Sequence, residues 1–310
     1  MTLNTPVVLI IFNRPQTPER VFQAIRQAKA KKLLVIADGA RLDRSGEVEK
    51  CQATRAIIDK VDWDCEVLTN YSDINLGCGL RVSSGLDWVF EEVEEAIILE
   101  DDCLPHPDFF EFAAAMLEKY RHDPKIMHVT GTNPLGQWQA DRQSYHFSYF
   151  GGIWGWASWR RAWQHYDFQM KSWLDPKIRD RIRQIILEER YQTSCQFFQD
   201  VYEGKVDTWD LQWSFARLTN FGLSVIPAVN LISNIGFGED ATHTTGDPSQ
   251  SYVAQLPTYS LSLPLKTDSA KISDRDFDMR YFALLARKPS LLARVANKIS
   301  RVKQKVMSNK

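Results

Sequence analysis

The stretch AIILEDDCLPHPDFF, Ala96 to Phe110, runs four apolar residues into three carboxylates, Glu100, Asp101 and Asp102, and then into a proline-broken loop. Three readings compete. The acids can be turn residues in a solvated loop. They can be an acid and base pair for glycoside hydrolysis, but that mechanism wants two carboxyls about 5–9 Å apart across a bond, which adjacent residues in one loop rarely provide. Or they can hold a hard divalent cation, Mg²⁺ or Mn²⁺, which prefers carboxylate and water oxygens and is commonly shared with substrate phosphates.

The elements that must position these acids follow from the pattern upstream. Short apolar runs alternate with amphipathic stretches, as β-α units around a mostly parallel sheet do. Strands are predicted at Val7–Phe12, Leu33–Asp38, Cys65–Asn70 and in AIILEDD, with helices at Pro18–Ala30, Val48–Val61 and Leu80–Val93. This is an α/β sheet with a Rossmann-like half. In such sheets ligands sit outside the carboxyl ends of the strands, where the following helices point their N-termini. That rule selects Asn13-Arg14, Asp38-Gly39, Asn75-Leu76-Gly77 and Glu100-Asp101-Asp102 as one converging set. Crevice and acid cluster agree, so metal with phosphate leads.

From about Asp141 the texture changes to the glycine- and tryptophan-rich FSYFGGIWGWASWRRAW, then a polar helical segment (Pro176–Tyr191), then DTWDLQWSFARLTNFGLSVIP. No repeat or low-complexity linker divides the chain. Pro257 to Asp276 is polar and predicted to be an extended wrap, and Tyr281–Lys310 is basic without an acid.

Composition sets outer limits. The 310 residues are 44% hydrophobic and 25% charged, with a formal net charge of −1, so a sizeable core is available and no bulk signal for nucleic acid exists. The apolar run Val7–Phe12 is too short for a signal peptide or a membrane span. Five scattered cysteines without C-x-x-C spacing favour neither a disulfide framework nor a zinc site, and a cytoplasmic location is expected.

The acidic stretch resembles the DxD-type motif of glycosyltransferases with the GT-A fold, in its E-D-D form. AIILEDDCLPHPDFFEF is similar to the corresponding segment of the N-acetylglucosaminyltransferase I family, and LIIFNRPQTPERVFQAI, VIADGAR, FGGIWGWASWRRAW, VDTWDLQW and ATHTTG resemble further family segments in order, over roughly residues 7 to 245. One E-D-D is a weak signal; several motifs in order are a strong one.

The resemblance implies a mixed GT-A sheet flanked by helices over 1–256, with a nucleotide-sugar half (1–105), an acceptor half (106–256), and a wrap and C-terminal helix over 257–310. It implies Asp102 as the direct ligand of Mn²⁺ or Mg²⁺, Asp101 and Glu100 on the ribose or donor sugar, Arg14 on phosphate, Asp38 on the uracil ring, and His243 on metal or diphosphate. Gly155 and Trp156 fall in its acceptor loop, where glycines let the backbone approach a sugar, while tryptophans such as Trp156 are also simply large core residues. From the residues themselves, each has a plainer reading: Asp101 and Glu100 as turn caps, Arg14 as a surface arginine, Asp38-Gly39 as a turn, His243 as a lone histidine. Arg81, opening the helix after NLGCG, could meet phosphate or lie along solvent.

An inverting transfer needs a carboxylate to take the acceptor hydroxyl's proton. Asp210 in TWDLQW is the first candidate and Asp207 the second. Trp209 and Trp213 could stack on a sugar face, or form a core helix face with Asp210 as an N-terminal acid. The chain departs from the eukaryotic transferase, which has two adjacent aspartates between these tryptophans and a Golgi-type anchor, so it looks like a bacterial relative whose sugar is not inherited.

Leu292, Val295, Ile299, Val302 and Val306 make an apolar stripe, with Arg294, Lys298, Arg301 and Lys305 off it. Such a helix can lie on an anionic membrane surface, where a lipid-linked acceptor would be met, or dock on its own domain. The expectation is a metal-dependent, inverting transferase moving sugar from a nucleoside-diphosphate sugar, UDP first, to a glycan or lipid-linked acceptor. Two rivals remain: a sugar nucleotidyltransferase, which would need a G-x-G-T-R loop that FNRPQTP does not supply, and a non-catalytic glycan- or nucleotide-sugar-binding protein.

Overall fold

Apolar, largely β-branched runs without alternation make strands buried on both faces. In the computed structural model, which describes residues 2–236, 256–267 and 270–285, β1 (Val7–Ile11), β2 (Lys32–Ala37), β3 (Glu66–Tyr71) and β4 (Glu95–Glu100) are parallel neighbours. Between them run α1 (Thr17–Ala28), α2 (Glu47–Arg55) and α3 (Gly77–Glu92). Then follow β5 (Cys103–Pro105), α4 (Asp108–Tyr120), β6 (Ile126–Thr130), β7 (Tyr145–Ser148), β8 (Trp156–Trp159), α5 (Arg160–Trp163), α6 (Pro176–Ile185), α7 (Glu188–Tyr202), α8 (Asp210–Thr219), β9 (Leu223–Pro227), β10 (Ile232–Asn234) and α9 (Arg275–Leu285).

Eight strands form one mixed sheet in the order β3-β2-β1-β4-β8-β6-β9-β7, and β10 pairs with β5 in a small antiparallel ladder. The fold is thus α/β with a largely parallel sheet flanked by helices, compatible with a Rossmann-like arrangement. Strand β8 enters antiparallel between β4 and β6 and welds the two halves into one sheet. On one face Val7, Leu9, Val35, Ile97 and Leu99 pack against α1 and α4 through Phe22, Phe109 and Phe112. On the other, Val8, Ile10, Ile36 and Ile98 pack against α3 and a tryptophan group from β8, α5 and α8. Each such side chain contributes about 1.5–3 kcal/mol by leaving water.

Three differences from the sequence expectations have local causes. Helix α3 starts at Gly77, ahead of Leu80, with Gly77 at φ +79° where glycine alone is unstrained. The Val48–Val61 helix becomes α2 followed by a 3-10 turn, Ala56–Lys60. The Pro176–Tyr191 segment is two helices, broken where Ile186 turns extended: Asp175 caps α6 through the Lys177 amide at 2.9 Å, and Glu188 and Glu189 start α7 with acids at the positive end of its dipole.

The polar stretch from Pro257 wraps without regular structure before α9, tied down by the Tyr259 amide on the Asn230 carbonyl (3.0 Å), the Ser144 amide on the Lys266 carbonyl (2.7 Å) and the Asp274 amide on the Phe147 carbonyl (2.7 Å). Helix α9 then buries Phe277 and Asp278 against β7. Of the basic stretch Tyr281–Lys310, residues 281–285 end α9, while 286–310, with the predicted basic amphipathic stripe, and His243 lie outside the described residues. Among the described residues no helix is long and apolar enough to cross a membrane.

Candidate functional site

Strands β1, β2 and β3 step outward in one direction, and β4 returns to the other side of β1, which makes the β1–β4 boundary the sheet's switch point. A crevice must open there, because the loops leaving the two strands diverge. Ile10 stands opposite Glu100 in the ladder, so the segments just beyond bring Arg14 to Asp101 and Asp102. Arg14 Nη2 donates to Asp101 Oδ1 and, at 3.0 Å, to Asp102 Oδ2, while Nη1 donates to the Gly236 carbonyl at 3.4 Å. Burial opposes the Arg14 charge, but the two aspartates outweigh it and hold the guanidinium above its ordinary pKa.

These side chains line a cleft of about 500 Å³ that also takes in Asp38, Arg41, Cys78, Trp154, Asp207 and Asp210. The size suits a nucleotide-like ligand. Its far edge is set by β10: the Ile235 amide donates to the Asp102 carbonyl at 2.8 Å, and Gly236 lies so close that a Cβ there would overlap the Asp102 carboxylate.

Glu100 forms the floor. Its Oε1 is shielded from solvent without a hydrogen-bond partner among the described residues, and burial, then the charges of Asp102, Asp101 and Asp210, raise its pKa well above the carboxylate range. Burial pushes Asp101 up to about 7 against the pull of Arg14. Among the described residues no three His, Cys, Asp or Glu side chains are gathered to hold a metal ion by themselves. The donor set still fits a hard divalent cation of the kind that takes one or two carboxylates and completes its shell with water and phosphate oxygens. All the donors are carboxylate oxygens, they crowd like charge, and one buried oxygen is orphaned.

Asp38 and Arg81 are placed differently from expectation. The Asp38 carboxylate is filled: it accepts from the amides of Gly39 (2.9 Å), Leu76 (2.9 Å) and Gly77 (3.1 Å) and from Asn75 Nδ2 (3.0 Å). It holds the loop between β3 and α3 against the end of β2 instead of presenting open acceptors to a base. Arg81 neither lies along solvent nor points a free guanidinium at phosphate. It is buried and donates to the Ala37 carbonyl (3.2 Å), the Asn70 carbonyl (2.7 Å) and Asn70 Oδ1 (2.5 Å), tying β2 to β3.

Sequence reasoning missed Arg41 and Glu47. The buried Glu47 carboxylate accepts from the Arg41 amide (2.7 Å), Arg41 Nε (2.9 Å) and Asn13 Nδ2 (2.8 Å), and the Arg41 guanidinium drives its pKa down to about 2. This clamps Arg41 over the Phe12 ring, 5.4 Å from its centroid, as a flat cationic wall of the cleft. Arg41 stood within the motif VIADGAR; Glu47 reads only as a helix-start acid.

From the second half come Asp207 and Asp210. Asp207 Oδ2 accepts from the Cys78 amide (3.1 Å) and Oδ1 from the Gly79 amide (2.9 Å), so both its oxygens cap α3. Asp210 takes a short bond from Thr208 Oγ1 on Oδ1 and has no further hydrogen-bond partner among the described residues. Of the two second-half carboxylates in the cleft, Asp210 is therefore the one with an open oxygen among the described residues.

The expected sugar-facing role of Gly155 and Trp156 is corrected. Gly155, at φ +57°, is buried, and a Cβ there would meet Ile232 Cγ1 at 2.7 Å; Trp156 is fully buried. Trp209 backs the cleft but is only 2% exposed, its ring stacked 5.6 Å from that of Trp156, with Trp163 and Trp213 completing the group. Ile153 and Trp154, just before β8, line the cleft instead; the left-handed Gly155 between Trp154 and Trp156 lies outside the strand, so the alternation of β8 does not reach Trp154.

No family model matches the chain, and no curated protein matches it significantly.

Proposed function

We propose that this chain is a metal-dependent, inverting glycosyltransferase of GT-A architecture that moves a sugar from a nucleoside-diphosphate sugar, UDP-linked first, to a hydroxyl of a glycan or lipid-linked acceptor. The observation that carries the reading is the meeting of Arg14, Asp101 and Asp102 at the β1–β4 switch point, in a cleft that also holds an open carboxylate, Asp210. The mixed sheet is compatible with that architecture.

The chemistry follows from the side chains. Among the described residues Arg14 uses three contacts, which leaves two of the guanidinium's five donors for a diphosphate oxygen. Arg41, immobilised by Glu47, gives the nucleotide a planar cationic surface. Asp102, with Glu100 beside it, would hold Mn²⁺ or Mg²⁺, which when bound offsets the negative charge of the departing diphosphate. Asp210 accepts the acceptor hydroxyl's proton as the oxygen attacks the anomeric carbon in line. Contact with a membrane through the basic residues 286–310 belongs to the same proposal, as the place where a lipid-linked acceptor would be met.

Calorimetry of UDP with and without Mn²⁺ tests the donor reading: binding that is strengthened by the cation is expected, and binding indifferent to it would sink the metal assignment. A screen of UDP-sugars for released UDP, with and without acceptors, tests turnover; tight binding without release for any donor would favour a binding protein.

A further inference from the structure

Asp207 and Asp210 sit three residues apart at the cleft, yet they meet different partners. Asp207 is spent on the first-turn amides of α3, 128 and 129 residues away in the chain. The glycines of NLGCG make this approach possible. A Cβ on Gly77 would meet Asp207 Oδ2 at 2.7 Å, and one on Gly79 would meet Asp207 Oδ1 at 2.5 Å and the Thr208 carbonyl at 2.8 Å. Both glycines are thus shaped to the segment that carries Asp207, and a carboxylate on a helix's positive end satisfies amides that the helix cannot.

The clamp sits between the two halves of the protein. On one side, α3 follows the Asn75–Gly77 loop that Asp38 holds. On the other, Asp207 is followed by Thr208, whose hydroxyl binds Asp210, and by the start of α8. Gln212 Nε2 returns to the Thr208 carbonyl at 2.7 Å, and the buried Trp209 ring locks the turn into the tryptophan group. The position of Asp210 relative to the nucleotide half therefore depends on what Asp207 holds.

We propose that Asp207 is a positioning residue, which caps α3 and thereby sets the carboxylate of Asp210 at its working distance from a donor bound in the nucleotide half. The role rests on the glycosyltransferase reading; the clamp itself does not. Asp207 takes no proton in this scheme. It fixes the register between the half that binds the donor and the segment that presents the base, and the two glycines of α3 are part of the same device.

Two variants test it. Asp207→Ala removes the cap, and Gly79→Ala keeps both carboxylates but forces the Asp207–Thr208 segment away. In Asp207→Ala, hydrogen exchange at the Cys78 and Gly79 amides should quicken roughly tenfold. In both variants UDP affinity with Mn²⁺ should match the unaltered protein, while the transfer kcat falls on the order of 100-fold, the scale set by small misplacements of a catalytic group. That split between binding and turnover would not arise from general loss of structure, which weakens both. Unchanged amide exchange would overturn the clamp with the donor reading intact, whereas failure of the unaltered protein to bind UDP would overturn the donor reading and leave the clamp measurable. A Gly79→Ala variant with full kcat beside an inactive Asp207→Ala would overturn positioning by making Asp207 a reacting group.

Discussion

Arg14 Nη2 stands 3.0 Å from Asp102 Oδ2, an ion pair that joins the loop after β1 to the loop after β4. In the proposed reaction the same two residues serve the diphosphate from opposite signs of charge. Asp102→Ala should remove the Mn²⁺ dependence of UDP binding. Arg14→Lys, which keeps the charge and loses the planar fork, should weaken UDP binding by about 1.5–3 kcal/mol, the range for hydrogen bonds to charged groups. Calorimetry at fixed ionic strength measures both; equal affinity in Arg14→Lys would remove Arg14 from the phosphate site.

Asp210→Asn keeps the shape of the side chain and removes its basicity. The transfer kcat should fall by roughly 10²–10⁴, the usual worth of a general base, with UDP affinity unchanged. Single-turnover transfer from a UDP-sugar reads the first quantity and calorimetry the second. Wild-type turnover in this variant would move the base elsewhere.

Trp156 has its whole ring in the interior, so its replacement should cost stability and not acceptor affinity. Trp156→Ala should lower the unfolding free energy by about 3–5 kcal/mol, as deletion of a large buried aromatic does. Trp154→Ala, at the cleft wall and only partly packed on the core, should cost less stability than Trp156→Ala and raise the acceptor or donor KM. The opposite pattern would restore Trp156 to the ligand surface.

His146 is fully buried on β7, its two ring nitrogens without hydrogen-bond partners among the described residues, 4.3 Å from the ring of Phe277 on α9. Burial drives its pKa down to about 4. The unfolded chain takes up a proton near pH 6.5 and the folded one does not, so the stabilisation is whole above that value and is lost as the pH falls from about 6.5 to 4. The difference for this residue reaches about 3 kcal/mol. Urea titrations at pH 7 and pH 4 should show a smaller loss on acidification in His146→Phe than in the unaltered protein. Part of the loss will remain, because His128 is also buried and held neutral, with Nε2 on the Gly152 carbonyl and Nδ1 facing Trp213 Nε1.

The first four strands and their helices were legible because buried parallel strands write themselves as unbroken apolar runs and their helices as periodic ones. Arg14, Asp101 and Asp102 were legible because a loop's position after a strand fixes which end of the sheet it occupies. Arg81 was not: whether a helix-start arginine faces solvent, ligand or carbonyls depends on the strand ends beneath it, here Ala37 and Asn70. For Trp156 the sequence leaves sugar surface and core open, and the structure takes the core: the left-handed Gly155 breaks the chain's alternation just before β8, so no local pattern tells which tryptophan faces the cleft. The pairing of Asp207 with Gly79 spans too much chain for any local pattern to reveal it.

Because β4 crosses back over β1, the acidic loop and Arg14 come together only when strands about ninety residues apart in sequence have paired. A chain that has formed β1, β2 and β3 has paid for three strands and still has no site. Closing so long a loop is entropically costly and tends to come late. The binding cleft should then appear in a single late event of refolding, together with protection of the β4 amides, and a chain stalled before that event would have native helices and no affinity for nucleotide.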